Sequence, residues 1–249
     1  MRFRVLSVLL ALVVGVGCTS TKSSEEKASS EQPTSESSKE QSAGASKGSS
    51  GAAKAEKGGE RASPDQPVQP DVEEGLAVAT FAGGCFWCME PPFEKLDGVK
   101  SVVSGFCGGA EQNPSYKQVA HGRTGHTETV QITYDPETIG YEKLLQVYWR
   151  NVDPTDAGGQ FVDRGSQYRP AIFYHDAEQK KLAEQSKEEL AETGPFDEEI
   201  VVKIVAASKF WPAEEYHQDY YKKSPKRYKS YRRGSGRDEF IQKHWGDQK

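Results

Sequence analysis

Hydrophobic residues follow three regimes along this chain. Behind Arg2 and Arg4 runs an apolar stretch, Val5–Gly17, that ends at Cys18. From Thr19 to about Glu74 the chain is Ser, Glu, Lys, Gly, Ala, Gln and Pro, with Val68 and Val72 its sizeable apolar side chains. Beyond Gly75 the apolar positions return with the periods of secondary structure. "LAVATFAGG" (76–84) alternates small apolar residues and ends in two glycines, which predicts a strand running into a tight turn. "CFWCMEPPFEKL" (85–96) has near-helical spacing, with Pro91 and Pro92 expected to break or reset the first turn. "VKSVVSGF" (99–106), "TETVQITYD" (127–135), "PAIFYHD" (170–176) and "EIVVKIVAA" (199–207) read as strands. "YEKLLQVYWRN" (141–151) predicts a helix with Leu144, Leu145, Tyr148 and Trp149 on one face. Asp176 can cap a helix over about 177–192, and "AEEYHQDYYKK" (213–223) predicts a polar, aromatic one.

Several strands follow one another directly, without the regular crossovers of a doubly wound sheet. The expected fold is therefore α+β, in two layers. The apolar stretch is too short for a membrane-spanning helix, which needs about 20 residues, and its basic start marks it as a secretory signal over residues 1–17. A cysteine at the cut resembles a bacterial lipoprotein signal, with Cys18 as the lipidated N-terminus, although Gly15 stands where such signals usually carry Leu. The alternative is an ordinary signal peptide that happens to end in Cys. Residues 18–75 cannot bury enough surface to offset their ordering entropy and are expected to be a disordered tether. The folded domain is then 76–249, and the product is expected to be exported and lipid-anchored in the bacterial cell envelope.

Charge adds little. With 32 basic and 37 acidic residues, the formal net charge of −5 gives no reason to expect nucleic acid. The basic run "KKSPKRYKSYRR" (222–233) reads as a solvated C-terminal segment. Neither "GGCFWC" nor "GFCGG" has the length or ending of a phosphate loop, so a nucleotide cofactor is not expected.

The cysteines change the picture. Besides Cys18 there are Cys85, Cys88 and Cys107, an odd number and too few for a disulfide-stapled scaffold. Cys85-x-x-Cys88 could be half of a zinc site, a redox pair, or two buried thiols. A zinc site needs four ligands, and the five histidines show no matching spacing. If Gly83-Gly84 turns a strand into a helix, Cys85 sits at the helix N-terminus, where free N–H groups favour a thiolate of lowered pKa. Cys88, one turn on, has its Cα about 5 Å away, within disulfide reach. Thiol redox chemistry is the reading these residues favour.

"GCFWCME" (84–90) resembles the active-site signature Gly-Cys-Phe-Trp-x-x-Glu of the A-type peptide methionine sulfoxide reductases. The resemblance continues in order through "VVSGFCGG" (102–109), "NPSYKQV" (113–119), "GRTGHTETVQITYDP" (122–136), "LLQVYW" (144–149), "DPTD" (153–156), "DRGSQYRPAIFY" (163–174) and "FWPAEEYHQDYY" (210–221). It implies a ferredoxin-like sandwich and thiol-dependent reduction of methionine S-sulfoxide, protein-bound or free. In that scheme Cys85 attacks the sulfoxide sulfur, and Phe86 and Trp87 wall the methyl pocket. Glu128 donates the proton, Tyr116 and Tyr168 hydrogen-bond the oxygen, and Asp163 orients the substrate. The resemblance also implies no bound cofactor, an external thiol reductant (a thioredoxin-like protein or dithiothreitol) and a monomer. His126 and His217 lie in matched blocks and are read as structural.

One departure matters for turnover. Many members carry a resolving cysteine in a Val-Cys-Ser-Gly block, and here "VAHG" (119–122) puts Ala120 in its place. Cys88 is the nearer substitute, ahead of Cys107, whose alternative reading is a buried filler. Phe161 and Pro170 also depart from the family, which has Gly and often Ser there. A general disulfide oxidoreductase and a non-catalytic lipoprotein binding metal or a partner through Cys85 and Cys88 are the competing functions.

Overall fold

The computed structural model describes residues 67, 68 and 70–246. The signal, Cys18 and most of the proposed tether lie outside the described residues.

A six-stranded sheet organises the domain. Its strands are β1 (Ala77–Ala82), β2 (Val99–Cys107), β3 (Thr127–Tyr134), β6 (Ala171–Tyr174), β7 (Lys203–Ala206) and β8 (Trp211–Pro212), in the order β7-β6-β1-β3-β2-β8. A short separate ribbon pairs β4 (Gly159–Gln160) with β5 (Asp163–Arg164). The central order β6-β1-β3-β2 is antiparallel throughout. Helices α1 (Phe86–Glu94) and α3 (Tyr141–Asn151) make its two crossovers, which is the expected split βαβ, ferredoxin-like arrangement. β7 extends one edge in parallel after the long helix α4 (Ala177–Thr193), and β8 extends the other edge.

β1 is buried on both faces, which explains why its alternation is between apolar residues rather than apolar and polar. Ala79 and Phe81 face the helices; Ala82 belongs to a second cluster with Cys107, Ala171, Phe173 and Ala207. Phe81 is the hub of the main core, stacked with Tyr148 (5.0 Å), Phe93 (5.5 Å) and Tyr141 (6.0 Å). The predicted stripe of α3 is buried as expected, and Tyr148 donates its hydroxyl to the Ala82 carbonyl at 2.9 Å. Asp176 caps α4 by accepting the Gln179 amide at 2.7 Å.

Four expectations are corrected. The helix predicted over 213–223 is broken at Asp219, which adopts φ 54° and gives its amide to Glu90 Oε1 at 2.9 Å. Gln218 beside it bonds both the amide and the carbonyl of Ser104 at 2.8 Å. Those ties to α1 and β2 outweigh helix continuity and leave a short 3₁₀ turn (Glu215–His217) and α5 (Tyr220–Lys223). The strand predicted over 199–207 shortens to β7, because the Val201 amide and Val202 carbonyl are taken by Pro154 and Lys187. α1 is not broken by Pro91 and Pro92, which sit inside it. The segment read as solvated is the helix α6 (Pro225–Gly234), which has no fully buried residue but brings half-buried Tyr231 and Arg232 onto Asp163 and the Cys88 carbonyl. α7 (Arg237–Trp245) follows, and its Arg237 is only 1% exposed.

Val68, within the stretch read as tether, gives its amide to the Ala207 carbonyl at 2.7 Å, and its own carbonyl accepts from His175 Nδ1 at 3.2 Å. Among the described residues no helix is long and apolar enough to cross a membrane.

Candidate active site

The turn between β1 and α1 sets the site. Gly84 has φ +81°, and a Cβ there would lie 2.6 Å from Gln160 Cβ, so glycine is required both by conformation and by space. The turn delivers Cys85 as the N-cap of α1, 6% exposed. Its expected low pKa is not what the structure supports. The Phe86 amide, the first free donor of the helix, is given to Glu128 Oε2 at 3.1 Å rather than to the thiol. Burial, its hydrogen bond to Cys88 and the Glu128 charge then push the Cys85 thiol well up.

Glu128 stands on β3 opposite Phe106, on the face of the sheet that carries α1. It is 1% exposed, and burial drives its carboxyl up to about 8 despite the Phe86 hydrogen bond. Tyr116 opens α2 (Tyr116–Ala120), whose start is fixed by a Ser115–Gln118 capping box. Tyr168 closes a 3₁₀ turn (Ser166–Tyr168). Both hydroxyls are pushed far above the phenol range, first by burial and then by Glu128 and Cys85, which places all four groups in one field. Asp163, on the short ribbon, accepts the Tyr231 hydroxyl at 2.5 Å. Burial raises its carboxyl, against that hydrogen bond and the charge of Arg237.

Aromatic rings line the approach. Phe86 lies against His217 (5.1 Å), Phe106 (6.0 Å) and Tyr116 (6.1 Å). Trp87 stacks flat on Tyr220 at 3.8 Å and donates Nε1–H to His217 Nδ1 at 3.1 Å. That bond leaves the ring proton of neutral His217 on Nε2, which has no hydrogen-bond partner among the described residues. His126 is structural, as expected: Nδ1 accepts from the Gly109 amide and Nε2 reaches the Glu111 carbonyl.

The remaining cysteines separate cleanly. Cys88 is buried on α1 and receives a hydrogen bond from Cys85. That bond, aided by Arg237 and Arg232, pulls the Cys88 thiol down to about 7 against the opposing effect of burial. Cys107 ends β2 with its thiol on Ser208, 3.4 Å from both the carbonyl and the hydroxyl oxygen. Because side chains alternate along a strand, Phe106 faces α1 and Cys107 faces away, into the second cluster. Ala120 ends α2, its carbonyl held by Gln167 at 2.9 Å. Among the described residues no three His, Cys, Asp or Glu side chains are grouped to hold a metal.

Comparison with known proteins agrees with this geometry. The family model for peptide methionine sulfoxide reductase matches residues 77–249. The chain belongs to that family. It is 58% identical over 175 residues to the peptide methionine sulfoxide reductase MsrA of Bacillus licheniformis, spanning 70% of this chain and 97% of that one. The Bacillus subtilis MsrA is 56% identical over 175 residues, again 70% of this chain and 99% of its own. Among solved structures, reduced Mxr1 from Saccharomyces cerevisiae superposes with a TM-score of 0.57 at 33% identity, covering 61% of this chain and 87% of that one. Methionine sulfoxide reductase A of Corynebacterium diphtheriae gives 0.53 at 32% identity, covering 61% and 77%.

In this reductase, an oxidoreductase by family, the residues packed around the site include some that the sequence pattern does not single out. Tyr231 and Arg232 lie in the segment read as solvated, and Arg237 just beyond it. Tyr228 and Tyr231, three apart, carried the helical signal that the surrounding lysines and arginines masked. Tyr220 and His217 were placed on a helix rather than against Trp87.

Proposed function

We propose that the chain reduces methionine S-sulfoxide, free or in proteins, to methionine, and so repairs oxidised proteins. The observation that carries this reading is Glu128, a buried carboxyl pushed up to about 8 and held against the first turn of α1 beside Cys85. Such a group enters the reaction protonated at neutral pH, as a general acid must.

Cys85 passes its proton to Cys88 along their hydrogen bond, and its sulfur attacks the sulfoxide sulfur. The sulfoxide oxygen takes the Glu128 proton as the S–O bond weakens, with Tyr116 and Tyr168 donating to the charge that develops there. Phe86 and Trp87 bury the methyl group, and Asp163, fixed by Tyr231, orients the substrate. The hydroxyl then passes from the methionine sulfur to the Cys85 sulfur as the bond between the two sulfurs breaks. Methionine departs, its sulfur reduced by two electrons, and Cys85 is left as a sulfenic acid, oxidised by two. Cys88 releases to solvent the proton it took from Cys85, and its thiolate then displaces the sulfenic oxygen, which takes up one proton and leaves as water as a Cys85–Cys88 disulfide forms. A thioredoxin-like dithiol, or dithiothreitol, returns both cysteines by exchange and is itself oxidised. Cys107, on the other face of the sheet, takes no part. The basic start and apolar run before Cys18 support export and lipid anchoring in the cell envelope as the setting, with the domain acting as a monomer.

The test offers the S- and R-sulfoxides of N-blocked methionine, separately, to the protein and to Cys85→Ser. Consumption of the S isomer alone, abolished in Cys85→Ser, is expected. Equal use of both isomers, or activity without Cys85, overturns the reading and favours a general disulfide oxidoreductase.

A further inference from the structure

Two arginines from the C-terminal helices converge on the turn that carries both cysteines. Proline has no N–H, so Pro91 and Pro92 leave the carbonyls of Trp87 and Cys88 without their i+4 helical donors. Arg232 Nη1 supplies one of the missing bonds, lying 3.2 Å from the Cys88 carbonyl. Its guanidinium is oriented by Asp238, which accepts Nε–H at 2.7 Å, and by the Tyr228 hydroxyl at 3.4 Å. Arg237 reaches the same turn from α7. It donates to the Gly83 carbonyl at 2.8 Å, to the Asn151 carbonyl and to Met89 Sδ at 3.4 Å, and lies 4.6 Å from the centre of the Phe161 ring.

Arg237 is 1% exposed and makes no ion pair with a carboxylate among the described residues. Burying a guanidinium in this way is costly unless hydrogen bonds and a nearby negative charge compensate. The carbonyls provide the first, and the thiol pair can provide the second. The charged and titratable groups acting with Cys88 are Cys85 on its own helix turn, Arg237, Arg232, Tyr228, Asp163 and Glu128. Two of these are fixed cations, and their effect on Cys88 is to favour the thiolate.

We propose that Arg232 and Arg237 are positioning residues for the second half of the reaction: they hold the Cys88 thiolate against Cys85, so that closure of the disulfide depends on the C-terminal helices. This rests on the reductase reading above. In that step the Cys88 sulfur attacks the sulfenic sulfur of Cys85, an S–S bond forms and the S–O bond breaks. Cys88 is oxidised, the sulfenic sulfur is reduced, and the oxygen leaves as water with one added proton.

A single-turnover experiment separates the two steps in the full chain without reductant. Methionine released from the S-sulfoxide of N-blocked methionine reports attack by Cys85. Loss of free thiol, followed between pH 5.5 and 9, reports closure. In Arg232→Met the release of about one equivalent of methionine is retained, while the midpoint of the closure profile moves up by about one unit. At pH 6 closure slows about threefold, since a tenfold loss of thiolate is partly offset by the greater nucleophilicity of a more basic thiolate. Arg232→Lys and Arg237→Lys, which keep the charge, keep the wild-type midpoint; a purely structural role would not rescue it. Should Arg232→Met fail to fold, Arg232→Gln takes its place. An unchanged midpoint in a folded neutral variant, with methionine release intact, overturns this proposal alone. No methionine release from the wild type overturns the reductase reading itself.

Discussion

Replacing Glu128 by Gln separates stability from catalysis, because the structure makes the two move in opposite directions. The side chain is 1% exposed and its carboxyl is pushed from the ordinary 4.5 to about 8. Between those values the folded protein keeps a proton that the unfolded chain has lost. Stability is therefore greatest below about 4.5 and declines as pH rises towards 8, by roughly 1.4 kcal/mol per unit. At pH 7 the accumulated cost is about 3 kcal/mol. Glutamine keeps the shape, its carbonyl can accept the Phe86 amide, and it never ionises. Its second amide hydrogen has no counterpart in the acid, and leaving it unpaired costs about 1 kcal/mol. Glu128→Gln is thus expected to unfold at higher urea than the wild type at pH 7, by about 2 kcal/mol, with the advantage vanishing at about pH 5 and reversing below it. Activity on the S-sulfoxide falls by a factor of about 10² to 10⁴ from loss of the general acid. Urea titrations of both proteins at several pH values, beside steady-state assays, measure the two effects. A stability difference that does not grow with pH refutes the assignment of Glu128 as a buried, protonated acid, and so does an activity within a few-fold of wild type.

Three further outcomes follow from the geometry. Gly84→Ala puts a methyl at φ +81° and 2.6 Å from Gln160 Cβ; it should cost at least about 1 kcal/mol and lower kcat tenfold or more by displacing Cys85, as chemical denaturation and assays would show. Phe81→Ala empties the centre of the aromatic core and should destabilise the domain by about 3–5 kcal/mol in the same denaturation assay. Trp87→Phe keeps a ring against Tyr220 but loses the 3.1 Å bond to His217; about 1 kcal/mol of stability should go and KM for the sulfoxide should rise.

Much of this was legible in residue order, and the misses have physical reasons. The strand, glycine turn and helix around Cys85 follow from local rules, since a two-glycine turn and apolar periodicity act over a few residues. The ordered motifs named Glu128, Tyr116, Tyr168 and Asp163, and the fold brings all four to Cys85 through long-range pairing that spacing alone does not show. The pKa of Cys85 was misjudged because the helix N-terminus is a local feature, whereas burial and the competing Glu128 are tertiary. The 213–223 stretch carries helical spacing, yet Glu90 and Ser104, more than a hundred residues away in sequence, capture Asp219 and Gln218. The C-terminal helices were hidden for a related reason. Arginine reads as solvent-facing in any hydropathy count, but Arg237 is buried because its Nη1 and Nη2 donors reach the carbonyls that the end of α3 and the β1–α1 turn leave free, at Asn151 and Gly83.

The central claim is that Cys85 reduces the sulfoxide and Cys88 resolves it. A single turnover on the S-sulfoxide of N-blocked methionine, without reductant, followed by mass-spectrometric mapping of the disulfide, tests it most directly. About one equivalent of methionine per chain and a Cys85–Cys88 bridge are predicted, with Cys88→Ser releasing the same methionine but stalling on a dithiol protein reductant. A bridge to Cys107, or normal turnover of Cys88→Ser beside a stalled Cys107→Ser, would contradict it.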